Sequence, residues 1–169
     1  SLVALNIGKG DEVITVSNTA VATVSAIKSA GAKVKYVDVG NDYLIDTNKI
    51  ERSISKKTKA IIPVHFGGLA CNLKDIMNLA KTYGVPIIED AAHAAGTKYD
   101  GKNIGTHGDM VCFSFHPVKN LAMPSGGLVA INGKKSQETK KNILSTRWCG
   151  ITDRVETSYD VKNLGWNYY

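Results

Sequence analysis

Apolar runs and helix-period segments alternate along most of this chain. Residues 12–16 (EVITV) form a short run rich in β-branched side chains, and residues 19–30 follow with apolar positions at helical spacing, closed by Gly31. Residues 34–39 (VKYVDV) predict the next strand, residues 46–53 a short helix capped by Asp46 or Thr47, and residues 60–65 (AIIPVH) a third strand. Residues 73–83 predict a helix stopped by Gly84, and residues 85–88 (VPII) a fourth strand. Strands alternating with helices imply a mostly parallel sheet covered on both faces, and near-continuous apolar runs suit strands buried on both sides. The rhythm changes after Asp90. Residues 110–115 and 127–131 predict strands joined by a loop without a helix, which suits an antiparallel neighbour. Residues 136–145 predict a last helix, with Ser136 as its cap and Glu138 in its first turn. The expected fold class is α/β: a mostly parallel sheet, helices on both faces and one antiparallel strand.

Both ends read as cuts. Residues 1–8 (SLVALNIG) have the spacing of the last turns of a helix ending at Gly8, with no cap before them, and residues 163–169 (NLGWNYY) stop without a tail. The expectation is one incomplete domain, residues 1–169, from a larger protein. At 43% hydrophobic and 21% charged residues the chain is neither disordered nor fibrous. No stretch of 18 apolar residues exists, so no membrane span is expected, and no secretory signal pattern is present. The net charge of +6, with a pI near 9.2, raises nucleic acid as a partner. The lysines are scattered, however. Their densest runs, residues 55–59 (SKKTK) and Lys134-Lys135 with Lys140-Lys141, carry no interleaved aromatic side chains. They read as solvated surface, and nucleic acid is not expected. Cys71, Cys112 and Cys149 are too widely spaced for a CxxC pair or a zinc site, which suits reduced thiols of a cytoplasmic protein, with Cys112 in a strand core. His65, His93, His107 and His116 lack the HExxH spacing, so no metal is expected.

Chemistry is expected at the carboxyl ends of the strands, where open α/β sheets bind ligands. In residues 85–96 (VPIIEDAAHAAG) two acids follow a buried strand. Successive strand residues point to opposite faces, so Glu89 and Asp90 cannot share one role. Asp90 reads either as an acidic cap of the following turn or as the counter-ion of a ligand cation, and His93 could face the same pocket. In residues 112–121 (CFSFHPVKNL) a strand delivers Ser114, and a proline-containing loop presents Lys119. A lysine in weakly polar surroundings is a candidate Schiff-base nucleophile, and Ser114 could donate to a phosphate. Ser125-Gly126-Gly127 gives the backbone freedom to approach a ligand. An aspartate after one strand, a lysine after another and hydroxyls nearby are the parts a pyridoxal phosphate site needs.

Several runs carry a resemblance: GKGDEVITVSNTAVAT (8–23), AGAKVKYVDV (30–39), TKAIIPVHFGG (58–68), IIEDAAHAAG (87–96), FSFHPVKN (113–120) and RWCGI (147–151). In order, and over essentially the whole chain, they resemble the DegT/DnrJ/StrS-type sugar-nucleotide aminotransferases, pyridoxal phosphate enzymes of the aspartate aminotransferase fold. The most specific element is IIEDAAHAAG followed by FSFHPVKN, with 29 residues from Asp90 to Lys119.

The resemblance implies roles. Lys119 matches the lysine that bonds to the cofactor and moves the proton in transamination. Asp90 matches the partner of the pyridine nitrogen. His93 stands where the family often has Gln, at the cofactor's phenolic oxygen, and Ser114 matches the phosphate-binding serine. His116 and Asn120 flank the lysine and would shape the sugar side. Ala20 falls where many members place an aromatic residue over the cofactor ring. By the same resemblance the phosphate-binding turn expected before Ser1, a segment after residue 169 that reaches the partner subunit, and a small C-terminal domain are missing. The chain would supply six of seven large-domain strands. The implied activity of the whole protein is amino transfer from an amino acid, usually glutamate, to a nucleotide-linked keto-sugar in surface-polysaccharide or modified-sugar synthesis. It would act as a cytoplasmic homodimer, whereas the fragment alone would be inactive. The alternatives are a sugar dehydratase of the same fold, in which His replaces the lysine, and a non-catalytic cofactor-binding regulator. Lys119 weighs against the dehydratase, and the lysine, aspartate and serine together weigh against the regulator.

Overall fold

Val13, Ile14 and Val16 are buried on β1 (Glu12–Val16), a strand with parallel neighbours on both sides: β2 (Lys33–Val37) and β3 (Thr58–Ile62). The computed structural model describes residues 1–169 apart from Lys134, Lys135, Glu156, Thr157, Lys162, Asn163 and Tyr169; for Asp153, Arg154 and Val155 it describes the backbone alone. A second group of strands holds β4 (Ile88–Asp90), β7 (Met110–Ser114) and β8 (Gly127–Ile131), ordered β4-β7-β8. β4 is parallel to β7, and β8 is antiparallel to it, as the helix-free connection predicts. Parallel bridges Ile61–Ile87 and Val64–Asp90 join β3 to β4. The result is one six-stranded arrangement, β2-β1-β3-β4-β7-β8, of the expected α/β class.

Alternation along the strands sorts the core into two layers. Ile14 and Val16 pack with Leu73, Ile76 and Ala80 of α3 (Leu73–Tyr83). Val13, on the opposite face, packs with Ile27 of α1 (Val21–Ser29) and with Ala60, Ile62, Ile88 and Met110. The two helices therefore cover opposite faces. α3 ends where the sequence predicts, on Gly84 at φ 65°, and Asn72 caps its start by accepting from Asp75 N–H. α2 (Thr47–Ile50) is capped by Asp46, which accepts from Asn48 N–H, and runs into a 3-10 turn at Glu51–Ser53.

Several boundaries differ from the sequence reading. Residues 1–8 hold only a 3-10 turn, Val3–Leu5, and it stops at Asn6 in the left-handed region rather than at Gly8. α1 begins two residues late, because Ala20 is its extended N-cap. The regular ladder of the fourth strand starts at Ile88, not Val85, since Pro86 has no N–H to donate, and it continues through the acids because Asp90 N–H donates to Pro63 O at 2.9 Å. α4 spans Ser136–Arg147 with Glu138 in its first turn; Ser136 is its first helical residue rather than its cap. Two hairpins were not foreseen: β5 (Lys98–Tyr99) with β6 (Lys102–Asn103), and β9 (Ile151–Val155) with β10 (Ser158–Val161). Cys112 is only half-buried, although burial still pushes its thiol up. Lys56, Lys57, Lys140 and Lys141 are exposed, as expected; Lys134 and Lys135 lie outside the described residues. Among the described residues no helix is long and apolar enough to cross a membrane.

Candidate active site

β1 is followed by a connection to β2 on one side, and β3 by a connection to β4 on the other. The loops at their carboxyl ends therefore diverge, which opens the crevice characteristic of such sheets. Asp90 ends β4 beside this crevice and Ser114 ends β7. Both line one cavity of about 280 Å³, together with Ala22, Thr23 and Ala26 of α1 and Phe113. That volume lies at the lower edge of the roughly 300–1,000 Å³ usual for small-molecule sites. Larger clefts of about 810 and 820 Å³ sit at the other end of the sheet, around Gly84–Pro86, far along the strands from Asp90 and Ser114.

The two acids at the end of β4 part as the pleat requires. Glu89 is fully buried, and its carboxylate accepts from His65 Nε2 at 2.7 Å and from Gly108 N–H. His65 Nδ1 accepts from Cys71 N–H at 3.1 Å, so the imidazole is neutral and its proton sits on Nε2. Asp90 is half-buried on the other side. Its Oδ2 accepts from the Thr23 hydroxyl at 2.6 Å and its Oδ1 from Ala92 N–H at 3.1 Å. Asp90 therefore does cap its turn, and it also faces the cavity. Among the described residues it has no cationic partner within ion-pair distance. Two neutral donors, the Thr23 hydroxyl and Ala92 N–H, meet its oxygens.

Lys119 is brought to the same region by the loop between β7 and β8. Its Nζ lies 3.0 Å from His93 Nε2, three residues beyond Asp90, and the ring of Phe66 meets the His93 ring edge-on. Lys119 is half-buried, as are His93 and Ser114. The remaining predicted residues are less engaged. Asn120 is exposed and spends its side-chain N–H on Ala95 O at 2.8 Å, clamping the loop. His116 is exposed; its Nδ1 accepts from Val118 N–H, and its own N–H donates to the Ser114 hydroxyl at 3.3 Å. Ala20 is exposed and does not line the cavity. Gly127 has an internal reason for lacking a side chain: a Cβ there would stand 2.7 Å from Phe113 O. Sequence reasoning missed Thr23 and Thr19. Their one signal was the i,i+4 spacing of two hydroxyls at a predicted helix start.

A mostly parallel α/β sheet that presents an aspartate after one strand, a serine after the next and a lysine in the following loop defines the large domain of a fold type I pyridoxal phosphate-dependent transferase. The profile of the DegT/DnrJ/EryC1/StrS aminotransferase family matches residues 1–169, and the chain belongs to that family. It is 40% identical over 174 residues to the uncharacterized protein MJ1066 of Methanocaldococcus jannaschii, covering 99% of this chain and 45% of that one. Among solved structures it resembles Spr1654 of Streptococcus pneumoniae, provisionally assigned as a sugar aminotransferase and solved in its PMP form. The TM-score is 0.89 at 29% identity, covering 98% of this chain and 48% of the other. It also resembles DesV of S. venezuelae in complex with a ketimine intermediate, with TM-score 0.88 and 34% identity over 98% of this chain and 43% of the other. The chain thus spans about half the length of the relatives it matches.

Proposed function

We propose that residues 1–169 form most of the cofactor-binding large domain of a longer enzyme that uses pyridoxal phosphate to transfer an amino group, from glutamate, to a nucleotide-linked keto-sugar. The carrying observation is the Asp90 carboxylate, facing the cavity with neutral donors only, beside the loop that holds Lys119 against His93. Such a carboxylate suits a ligand cation, and the Ser114 hydroxyl on the same cavity suits a phosphate. The residues therefore fit the cofactor. The family, and the PMP form of Spr1654, support the same assignment.

When bound, the cofactor supplies an electron sink for the pair freed at the donor's Cα. Asp90 would balance the positive charge of the ring nitrogen, and Ser114 would donate to the phosphate. His93 would meet the phenolic oxygen. Lys119 is the residue that would hold the cofactor covalently, and its Nζ, as a free amine, would take the proton from the donor's Cα as general base and give it back as general acid. His93 Nε2, 3.0 Å away, orients that amine. His116 and Asn120 shape the sugar side, Asn120 by holding the loop to Ala95. Ala20, where the family often has an aromatic ring, would offer the cofactor no stacking surface. The enzyme works as a homodimer in the cytoplasm.

Borohydride reduction of the full-length protein loaded with pyridoxal phosphate, followed by peptide mapping, places the label on Lys119. Lys119→Ala abolishes turnover with glutamate and keto-sugar nucleotides while retaining non-covalent cofactor affinity. Label on a different lysine overturns the assignment.

A further inference from the structure

The Thr23 hydroxyl lies 2.6 Å from Asp90 Oδ2 and 2.9 Å from the Thr19 hydroxyl. A carboxylate oxygen can only accept, so the single Thr23 proton is committed to Asp90. Thr23 is then left with acceptor capacity alone, and the Thr19 proton must point at Thr23. The chain is directed: Thr19 to Thr23 to Asp90. Thr23 is 7% exposed and sits in the first turn of α1. A helical threonine commonly returns its hydroxyl to a carbonyl three or four residues back. Here the residue four back contributes its side chain instead. With Ala92 N–H on Oδ1, each Asp90 oxygen receives one fixed neutral donor, and the plane of the carboxylate is set from both sides.

We propose that Thr23, seconded by Thr19, is a positioning residue that aims the Asp90 carboxylate and draws off part of its negative charge; this rests on the function proposed above. With that charge partly drawn off, the proton shared between Asp90 and a bound pyridine nitrogen stays on the nitrogen. Without the hydroxyl it moves toward Asp90, and the carboxylate is free to rotate about its Cβ–Cγ bond.

The test uses the full-length protein loaded with cofactor carrying ¹⁵N in the ring. Thr23→Val keeps the β-branched shape and removes the donor. The ring-nitrogen resonance is expected to move from the protonated toward the unprotonated position, with kcat about tenfold to hundredfold lower, the worth of one hydrogen bond to a charged group. The KM for the amino donor stays within about threefold. Thr23→Ser restores the resonance and most of kcat. Thr19→Val moves the resonance the same way by a smaller amount, and decides the matter if Thr23→Val does not fold. An unmoved resonance in Thr23→Val, or in Thr19→Val where that variant decides, overturns the proposal. So does a Thr23→Ser protein as impaired as Thr23→Val, which would reduce Thr23 to a packing residue. Wild-type protein that never carries label on Lys119 sinks the enzyme assignment together with this proposal. Label on Lys119 with an unmoved resonance sinks only the positioning role.

Discussion

Asp90→Asn separates what this residue does for the fold from the counter-ion role proposed for it. In the folded protein Asp90 accepts two hydrogen bonds, from the Thr23 hydroxyl at 2.6 Å and Ala92 N–H at 3.1 Å. Asparagine can satisfy both neighbours. Its carbonyl accepts from Ala92, its amide donates to Thr23, and the Thr23 proton turns to Thr19, which lies 2.9 Å away. The hydrogen-bond count is unchanged, so the folding cost is at most about 1 kcal/mol, a fall in Tm of about 2 °C or less for a full-length protein roughly twice as long as this chain. The loss to catalysis is of a different order. A ring nitrogen that keeps its proton loses its counter-ion, and breaking one side of a buried ion pair costs about 3–5 kcal/mol. Because Asp90 is half-buried, the lower end applies, about 3 kcal/mol or roughly 150-fold in kcat. Steady-state turnover of the full-length enzyme and thermal melting of the same sample give both quantities. A kcat within fivefold of wild type refutes the counter-ion role. A Tm lowered by ten degrees or more shows instead that the negative charge itself holds the crevice together.

Gly108→Ala places a Cβ 2.8 Å from Glu89 Oε1 and 3.1 Å from Ile87 Cγ2, in a site with no room to relax. Overpacking of this kind costs about 1–3 kcal/mol, so Tm falls by several degrees, and an unchanged Tm shows that the Glu89–His65 pair can shift. Cys71 is fully buried with its thiol pushed up from 9.0 to about 12, first by burial and then by the Glu89 charge. The proton is retained by the folded state longer than by the unfolded one. Stability is therefore complete below pH 9 and declines as pH rises toward 12, by up to about tenfold in the folding constant per pH unit. Cys71→Ala flattens that alkaline decline in pH-dependent melts; an identical slope removes Cys71 as its source. At neutral pH iodoacetamide labels exposed Cys149 while sparing Cys71, and equal labelling of the two contradicts the burial.

Much of the sheet is readable because its central strands β1 and β3 are largely buried on both faces and α3 has an apolar stripe and a clear stop. Gly84 closes α3 and Asp46 opens α2 where the sequence says they should. What escaped is what periodicity cannot carry. The β5–β6 hairpin has two residues per strand, too few to show alternation; the Asp100-Gly101 pair at its turn, with φ 49° and 76°, was its only local sign. The β4 boundary moved because hydrogen bonding across to Pro63, not hydrophobicity, decides where the ladder runs. In the site, opposite-facing Glu89 and Asp90 follow from the pleat alone. The Thr23–Asp90 contact joins residues 67 positions apart and could not be inferred from either neighbourhood. Asn120 is legible only as a neighbour of Lys119; that its amide ties the β7–β8 loop to Ala95, 25 positions earlier in the segment after β4, has no local sign.

The division of the sheet has a consequence for how the protein assembles. The strands β2-β1-β3 and β4-β7-β8 are each continuous ladders, whereas β3 and β4 share two isolated bridges, with Ile61 N–H to Pro86 O, His65 N–H to Asp90 O and Asp90 N–H to Pro63 O as the backbone bonds there, and core packing on both faces. Thr23 reaches across from the first half to Asp90 on the second. A small molecule seated in the crevice touches both halves and acts as a rivet on the thinnest joint of the sheet. Its binding free energy then adds to the core packing that already joins the halves, so local opening at this joint is rarer with the cofactor bound.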